Sequence, residues 1–245
     1  MVEQARVPRR TRRDPSAGSA LRAREFRAKL AKRALKAGLV VFPPVIERLE
    51  GYFELLRLWN RKVALTSLPV EEYGDRAVDR LLVEPILAAR YLPGPEVSVI
   101  DIGSGGGSPA VPLKLAMPGI SLRMVESKAR KTAFLREVTR QLGLTATEIE
   151  TARFEQLLAR PELHEAVDVV TLRAVRVERA TLLGLQAFLK PGGLLFLFRS
   201  TTSPDEQIPV QPPLVRRDAY PLVEALGSRL VILEKLSRLG LDGRG

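Results

Sequence analysis

The residues able to do chemistry stand at regular breaks between apolar runs. Asp101 precedes Gly103-Ser104-Gly105-Gly106-Gly107-Ser108, a turn with glycine at four of five successive positions. Such a backbone can turn tightly and lie against a ligand with no Cβ in the way, as nucleotide-binding turns do. Glu126 closes the next apolar run, where a carboxylate can accept from both hydroxyls of a ribose. Phe154-Glu155 and Arg173 follow later runs, in positions to flank an adenine and to face the same mouth. Each also has a plain structural alternative. Glu126 could pair with Lys128 or Arg130, Glu155 could be a surface helix residue, and Arg173 a solvated strand end. The chain has no cysteine and one histidine, His164. That excludes disulfides and thiolate chemistry, and no metal site is expected.

These groups need a framework, and the hydropathy pattern supplies one. Val97, Val99, Ile100 and Ile102 form a β-branched strand leading into the glycine turn, and Pro109 suits the first turn of a helix. Strands are expected at Ser121–Val125 (ending in Glu126), Thr147–Thr151, Val167–Leu172 and Leu194–Phe198. The intervening helices are expected at Lys128–Leu142 and Glu178–Leu189, the latter followed by Lys190-Pro191-Gly192-Gly193. Alternation of this kind gives an α/β, doubly wound parallel sheet. Two weaker strands, near Leu214–Tyr220 and Arg229–Glu234, suggest a terminal antiparallel hairpin. Ligands of such sheets lie beyond the C-terminal strand ends. Ahead of the sheet, Val45, Leu49, Tyr52, Phe53, Leu56 and Trp59 recur at helical spacing after Pro43-Pro44. A third helix is expected from about Val70 to Tyr91. The division expected is a basic, partly disordered extension over 1–37, a helical region over 38–93 and the sheet domain over 94–245.

Of the net charge of +11, nine units lie in residues 1–37, which hold twelve Lys/Arg against Glu3, Asp14 and Glu25. The first twenty residues read as disordered. Ala20 to Lys36 reads as a helix with Phe26, Leu30 and Ala34 on one stripe. A basic arm suits nucleic acid, because neutralising phosphates releases counterions; a passive solubilising tail is the alternative. On either reading, its removal should leave the fold intact. With no apolar run of membrane-spanning length, a soluble cytoplasmic protein is expected.

The order D-x-G-x-G-x-G resembles the first motif of S-adenosylmethionine-dependent methyltransferases more than the dinucleotide pattern G-x-G-x-x-G, whose third glycine would fall at Ser108. WNRKVALT, VIDIGSGGGSPAVPLKLAMP, MVESKARKTAFLREV, VVTLRAV and LKPGGLLFLF together resemble the RsmG (GidB) family, N7-guanine methyltransferases of small-subunit ribosomal RNA. The likeness covers roughly Pro44 to Ser200 and is most specific at Gly107-Ser108-Pro109-Ala110-Val111-Pro112-Leu113. It implies a Rossmann-like class I methyltransferase sheet with an N-terminal helical region. It also implies S-adenosyl-L-methionine as cofactor and a small ribosomal subunit or its RNA as partner; a monomer is the expected state. Gly103, Ser108, Phe154, Glu155 and Arg173 fall on cofactor-contacting positions of the family, beside Gly105 and Glu126. The chain departs from the family pattern on the substrate side: Ala64 stands for the Asn of N-L-T, Arg80-Leu81-Leu82-Val83-Glu84 for R-H-x-x-D, and Arg199-Ser200 for Lys-Gly.

Transfer of a sulfonium methyl to guanine N7 needs no general base, since N7 has a lone pair and no proton; positioning carries the catalysis. No catalytic acid or base is therefore named. Two other readings stay open: a methyltransferase of a non-RNA substrate, and an RNA-binding protein on a catalytically idle methyltransferase fold.

Overall fold

The structure, a computed structural model, describes residues 15–173, 177–200 and 208–237, with side chains from residue 20 onward. Residues 1–14, part of the segment expected to be disordered, lie outside it. Seven strands form one sheet: β1 Ser98–Ile102, β2 Ser121–Glu126, β3 Thr147–Thr151, β4 Val167–Arg173, β5 Leu189–Ser200, β6 Leu214–Pro221 and β7 Ser228–Lys235. Their order is β3-β2-β1-β4-β5-β7-β6. The first five run parallel, and β7 inserts antiparallel between β5 and β6. The expected hairpin is present, with its second strand on the inside. The chain reverses its winding direction beside β1, which opens the ligand crevice at the end of that strand.

One boundary moved. Helix α8 spans Arg179–Leu185 and stops short of Leu189, which already belongs to β5. Leu189 pairs with Val167, and the register then shifts before Leu194 pairs with Val169. A bulge therefore absorbs Lys190-Pro191-Gly192-Gly193 within the strand. Gly193 is needed there, since a Cβ would stand 2.8 Å from the Lys190 carbonyl oxygen.

Strand alternation divides the interior in two. Ile100, Ile102, Leu195 and Leu197 face a core completed by α8. Val99, Met124, Phe196 and Phe198 face the other core, shared with the N-terminal helices and with α5 (Ala110–Ala116) and α6 (Ala129–Gln141). The N-terminal layer comprises α1 (Pro15–Lys36), α2 (Pro43–Asn60) and a helical stretch over 75–91. That last stretch is α3 (Asp75–Val78), a wider π turn (Asp79–Val83), α4 (Glu84–Ala88) and a final 3-10 turn.

The reading of α1 as a detachable arm needs correcting. Its stripe of Phe26, Leu30 and Ala34 is buried in the main core, with the Phe26 ring 5.1 Å from Phe53 and 5.2 Å from Tyr73. Several of its cations are taken up by this chain: Arg27 by Glu47 and Glu50, Lys29 by Asp75, and Arg33 by Asp75 and Asp79.

Candidate active site

The parity of four residues builds the site. Asp101, Glu126, Thr171 and Arg173 each sit an even number of residues from a strand position in the main core, so all four project from the sheet face that the N-terminal helices cover. They also lie at or next to the C-terminal ends of β1, β2 and β4. A cavity of about 570 Å³ opens there. Gly103, Ser104, Gly105, Gly106 and Ser108 form its floor, Leu65 to Leu68 one wall, and Arg76, Arg80 and Leu81 another. Among the described residues its ionisable lining is one carboxylate, Glu126, against Arg76, Arg80, Lys131 and Arg173.

The glycine turn is held from both sides. Gly103 and Ser104 donate their N–H groups to the Val125 carbonyl at 2.9 and 3.0 Å. From α2, the buried Tyr52 hydroxyl donates to the Gly106 carbonyl at 2.6 Å. Gly106 permits this closeness, because a Cβ would meet the Leu65 carbonyl at 3.2 Å and the Leu56 side chain at 3.1 Å. Gly107, at φ +86°, could not carry one without meeting Val111 at 2.9 Å. The wall opposite is set by Asn60, the sole asparagine, whose Oδ1 accepts from the Leu65 and Thr66 N–H groups at 2.9 and 3.0 Å.

Glu126 is nearly buried, and its two oxygens accept separately from backbone: Oε2 from Gly105 N–H at 3.1 Å, Oε1 from Lys128 N–H at 2.8 Å. Each oxygen keeps further acceptor capacity. Beneath the turn, the fully enclosed Asp101 accepts from the Thr171 hydroxyl at 2.5 Å through Oδ1, while its buried Oδ2 has no partner. Burial pushes this carboxyl up to about 6, partly opposed by the Thr171 bond.

Arg173 lines the cavity, but both its terminal nitrogens are engaged, and only the buried Nε has no partner. Nη2 donates to Glu84 at 2.9 Å, and Nη1 to the Ser108 hydroxyl at 2.9 Å and the Arg80 carbonyl at 2.5 Å. Its guanidinium also stacks on Phe198 at 4.4 Å. Glu84, wholly buried, bridges Arg173 and Arg80, both at 2.9 Å. The π turn makes this geometry possible. Pro85 has no N–H to offer the turn before it, and two carbonyls there are taken instead from outside the helix: Arg80 O by Arg173 and Leu81 O by the Ser108 hydroxyl at 2.9 Å. Burial brings the Arg173 pKa down to about 10, with Glu84 opposing, so it remains a cation at neutral pH.

Of the residues singled out from sequence, Gly103, Gly105, Ser108, Glu126 and Arg173 come together around the cavity. Phe154 and Glu155 do not line it: Phe154 packs against Gly184 of α8, where a Cβ would stand 3.0 Å from its ring, and Glu155 is exposed on α7 (Phe154–Leu157). Sequence reasoning missed Tyr52, Asn60, Glu84 and the partnership of Asp101 with Thr171. Among the described residues, no group of three or more His, Cys, Asp or Glu could hold a metal ion, and no helix is long and apolar enough to cross a membrane.

The sequence model of the family described as "rRNA small subunit methyltransferase G" (GidB) matches residues 45–212. The "Ribosomal RNA small subunit methyltransferase G" of Halorhodospira halophila is 34% identical over 174 residues, 70% of this chain and 78% of that protein. Among solved structures, an S-adenosylmethionine-dependent methyltransferase from Aquifex aeolicus superposes with TM-score 0.51 at 14% identity, covering 68% of this chain and 96% of that one. The [4+2]-cyclase SpnF superposes with TM-score 0.54 at 14% identity, over 76% and 94% of the two chains. At such identities these structures establish the fold.

Proposed function

We infer the following from the premise that this chain belongs to the rRNA small subunit methyltransferase G family. It is an S-adenosylmethionine-dependent methyltransferase of 16S ribosomal RNA, and we propose that its target atom is N7 of a guanine. The observation that carries the reading is the cavity itself: a glycine floor with one carboxylate, rimmed by arginine and lysine.

The residues present fit the cofactor. Gly105 has open space where a Cβ would project, only the Gly103 carbonyl oxygen lying within 4 Å, at 3.6 Å. Glu126 offers a paired acceptor already aimed by two backbone N–H groups. The orphaned Oδ2 of Asp101 marks acceptor capacity under the turn. We assign Glu126 to the ribose hydroxyls and the backbone of Gly103 and Gly105 to the amino-acid end. Ser108 and Arg173 hold the floor to the helical wall. Phe154 and Glu155 follow Thr151, the β3 residue in register with Glu126, outside the cavity lining, so an adenine would have to extend beyond Glu126 to reach them.

The cofactor, when bound, supplies an electrophilic methyl on sulfonium sulfur. The chain's part is to hold a polyanion's base at the mouth and keep it aligned. Arg76 and Lys131 line the cavity with no ion-pair partner among the described residues, so their charge is available to phosphate. Among the described residues the cavity's one carboxylate is engaged by backbone and assigned to the ribose, and the reading calls on no side chain to take a proton. That suits guanine N7, which has none to lose. We propose that the protein works in the cytoplasm as a monomer on the small ribosomal subunit or its RNA.

The test is transfer of labelled methyl to small subunits and to free 16S RNA, followed by cleavage chemistry selective for N7-methylguanine. Label at one guanine, sensitive to that cleavage, is expected. Label that resists cleavage would move the target off N7. Label found only in small-molecule or protein fractions would overturn the RNA reading.

A further inference from the structure

Helix α1 lies outside residues 45–212 matched by the family model, yet it touches the element that forms one wall of the site. That element begins Asp75-Arg76-Ala77-Val78-Asp79-Arg80, with two acids at i and i+4 and two arginines each one residue later. A helix turns about 100° per residue, so acids and arginines point in different directions. The arginines line the cavity. The acids meet α1: Asp75 is 3.3 Å from Lys29 and 3.1 Å from Arg33. Asp79, only 2% exposed, takes both sides of the Arg33 fork, with Nε at 2.8 Å from Oδ1. Lys29 also donates to the Tyr73 carbonyl at 3.0 Å, just ahead of the stretch.

We propose that α1 is a positioning element for the RNA. Its Arg33 and Lys29 neutralise Asp75 and Asp79 on the back of the helix, so that Arg76 on the front, which has no ion-pair partner among the described residues, presents its charge to RNA phosphate. The inference rests on the methyltransferase reading above and adds to it a role for the N-terminal extension. The physical basis is the spacing of Arg76 and Asp79. They are three residues apart, where an acid and a base on a helix meet, and well within the Debye length. An Asp79 stripped of Arg33 becomes a buried, unpaired charge with a strong demand for a cation. The i,i+3 spacing allows Arg76 to turn toward it, and its recruitment to the back would leave one cation fewer for phosphate at the mouth. Arg33 itself does not line the site cavity.

The test uses the full chain, binding of a 16S RNA fragment at several salt concentrations, and S-adenosylmethionine binding by calorimetry. In Arg33→Ala, RNA affinity should fall about tenfold, the effect expected when charge-assisted hydrogen bonds to phosphate are removed. The slope of log affinity against log salt should fall by about one for each phosphate no longer neutralised, with cofactor affinity unchanged. Because Arg33→Ala strands a buried carboxylate, Asp79→Asn is the deciding variant. It removes the competing acid and should keep wild-type RNA affinity, alone or combined with Arg33→Ala. If the ion pair were only a mechanical strut, Asp79→Asn would lose RNA affinity as Arg33→Ala does, and the proposal would be overturned. A folded Arg33→Ala that binds RNA as the wild type does at every salt concentration would also overturn it. Wild-type protein that binds no RNA would remove this inference together with the RNA reading, whereas the two results above remove it alone.

Discussion

Arg173 is the residue whose meaning the structure changed most. From sequence it faced the ligand mouth on a cofactor-contacting position; in the fold its terminal nitrogens go to Glu84, Ser108 and the Arg80 carbonyl. Replacing it with alanine should therefore cost stability as well as activity. About 3 kcal/mol is expected, the lower end for breaking a buried pair, because Arg80 still faces Glu84. Denaturant unfolding checks this, and lysine should not rescue, since one ammonium cannot span the three acceptors. Asp101 gives a second prediction. Its ordinary value is 3.8 and the fold raises it to about 6. The folded chain thus binds the extra proton between these values, and this group's contribution to stability falls as pH rises from about 4 to about 6. In Asp101→Asn that decline should vanish, so the stability difference between variant and wild type should change across this window and level off above it. The position of both residues at strand ends was legible in the sequence. Their partners were not, because Glu84 and Thr171 reach them through pairings that connect segments far apart in the chain.

Among the elements, the central strands β1 and β4 were legible because both their faces are covered and their sequences are mostly apolar, whereas β3 and β6 are largely polar and unburied. The sequence misled at β5, where Pro191-Gly192-Gly193 reads as a stop and the fold makes it a bulge. Helix α1 was legible as a helix and misread as an appendage. Counting its charges gave a basic arm; its stripe of Phe26, Leu30 and Ala34 already called for a covering face. Composition cannot show that Arg27, Lys29 and Arg33 spend their charge on Glu47, Glu50, Asp75 and Asp79. Removing residues 1–37 should thus uncover Phe53 and Tyr73 and leave Asp79 without its cation. A lowered melting temperature and exposed apolar surface are expected by calorimetry and dye binding. An unchanged melting temperature would return α1 to the status of a passive tail.

Across the whole molecule, net charge misplaces the electrostatics. Much of the described part of the basic extension is neutralised within the fold, while the cavity mouth keeps Arg76 and Lys131 without ion-pair partners among the described residues. Arg76→Ala and Lys131→Ala should each reduce the salt slope of RNA binding by about one, measured on the same RNA fragment, whereas Arg27→Ala should leave that slope unchanged. The cavity is also a seam in the chain. Its floor follows β1, its wall belongs to residues 56–81, and its lining is completed by Ser200 and Leu226 at the far end of the sequence. This has a consequence for the order in which the protein is made. The wall emerges from the ribosome first, the glycine floor next, and Ser200 and Leu226 only later. A ligand that needs all three has no complete site to stabilise in a partial chain. Until then the growing polypeptide must hold itself together by packing alone, and cofactor capture marks the assembled site.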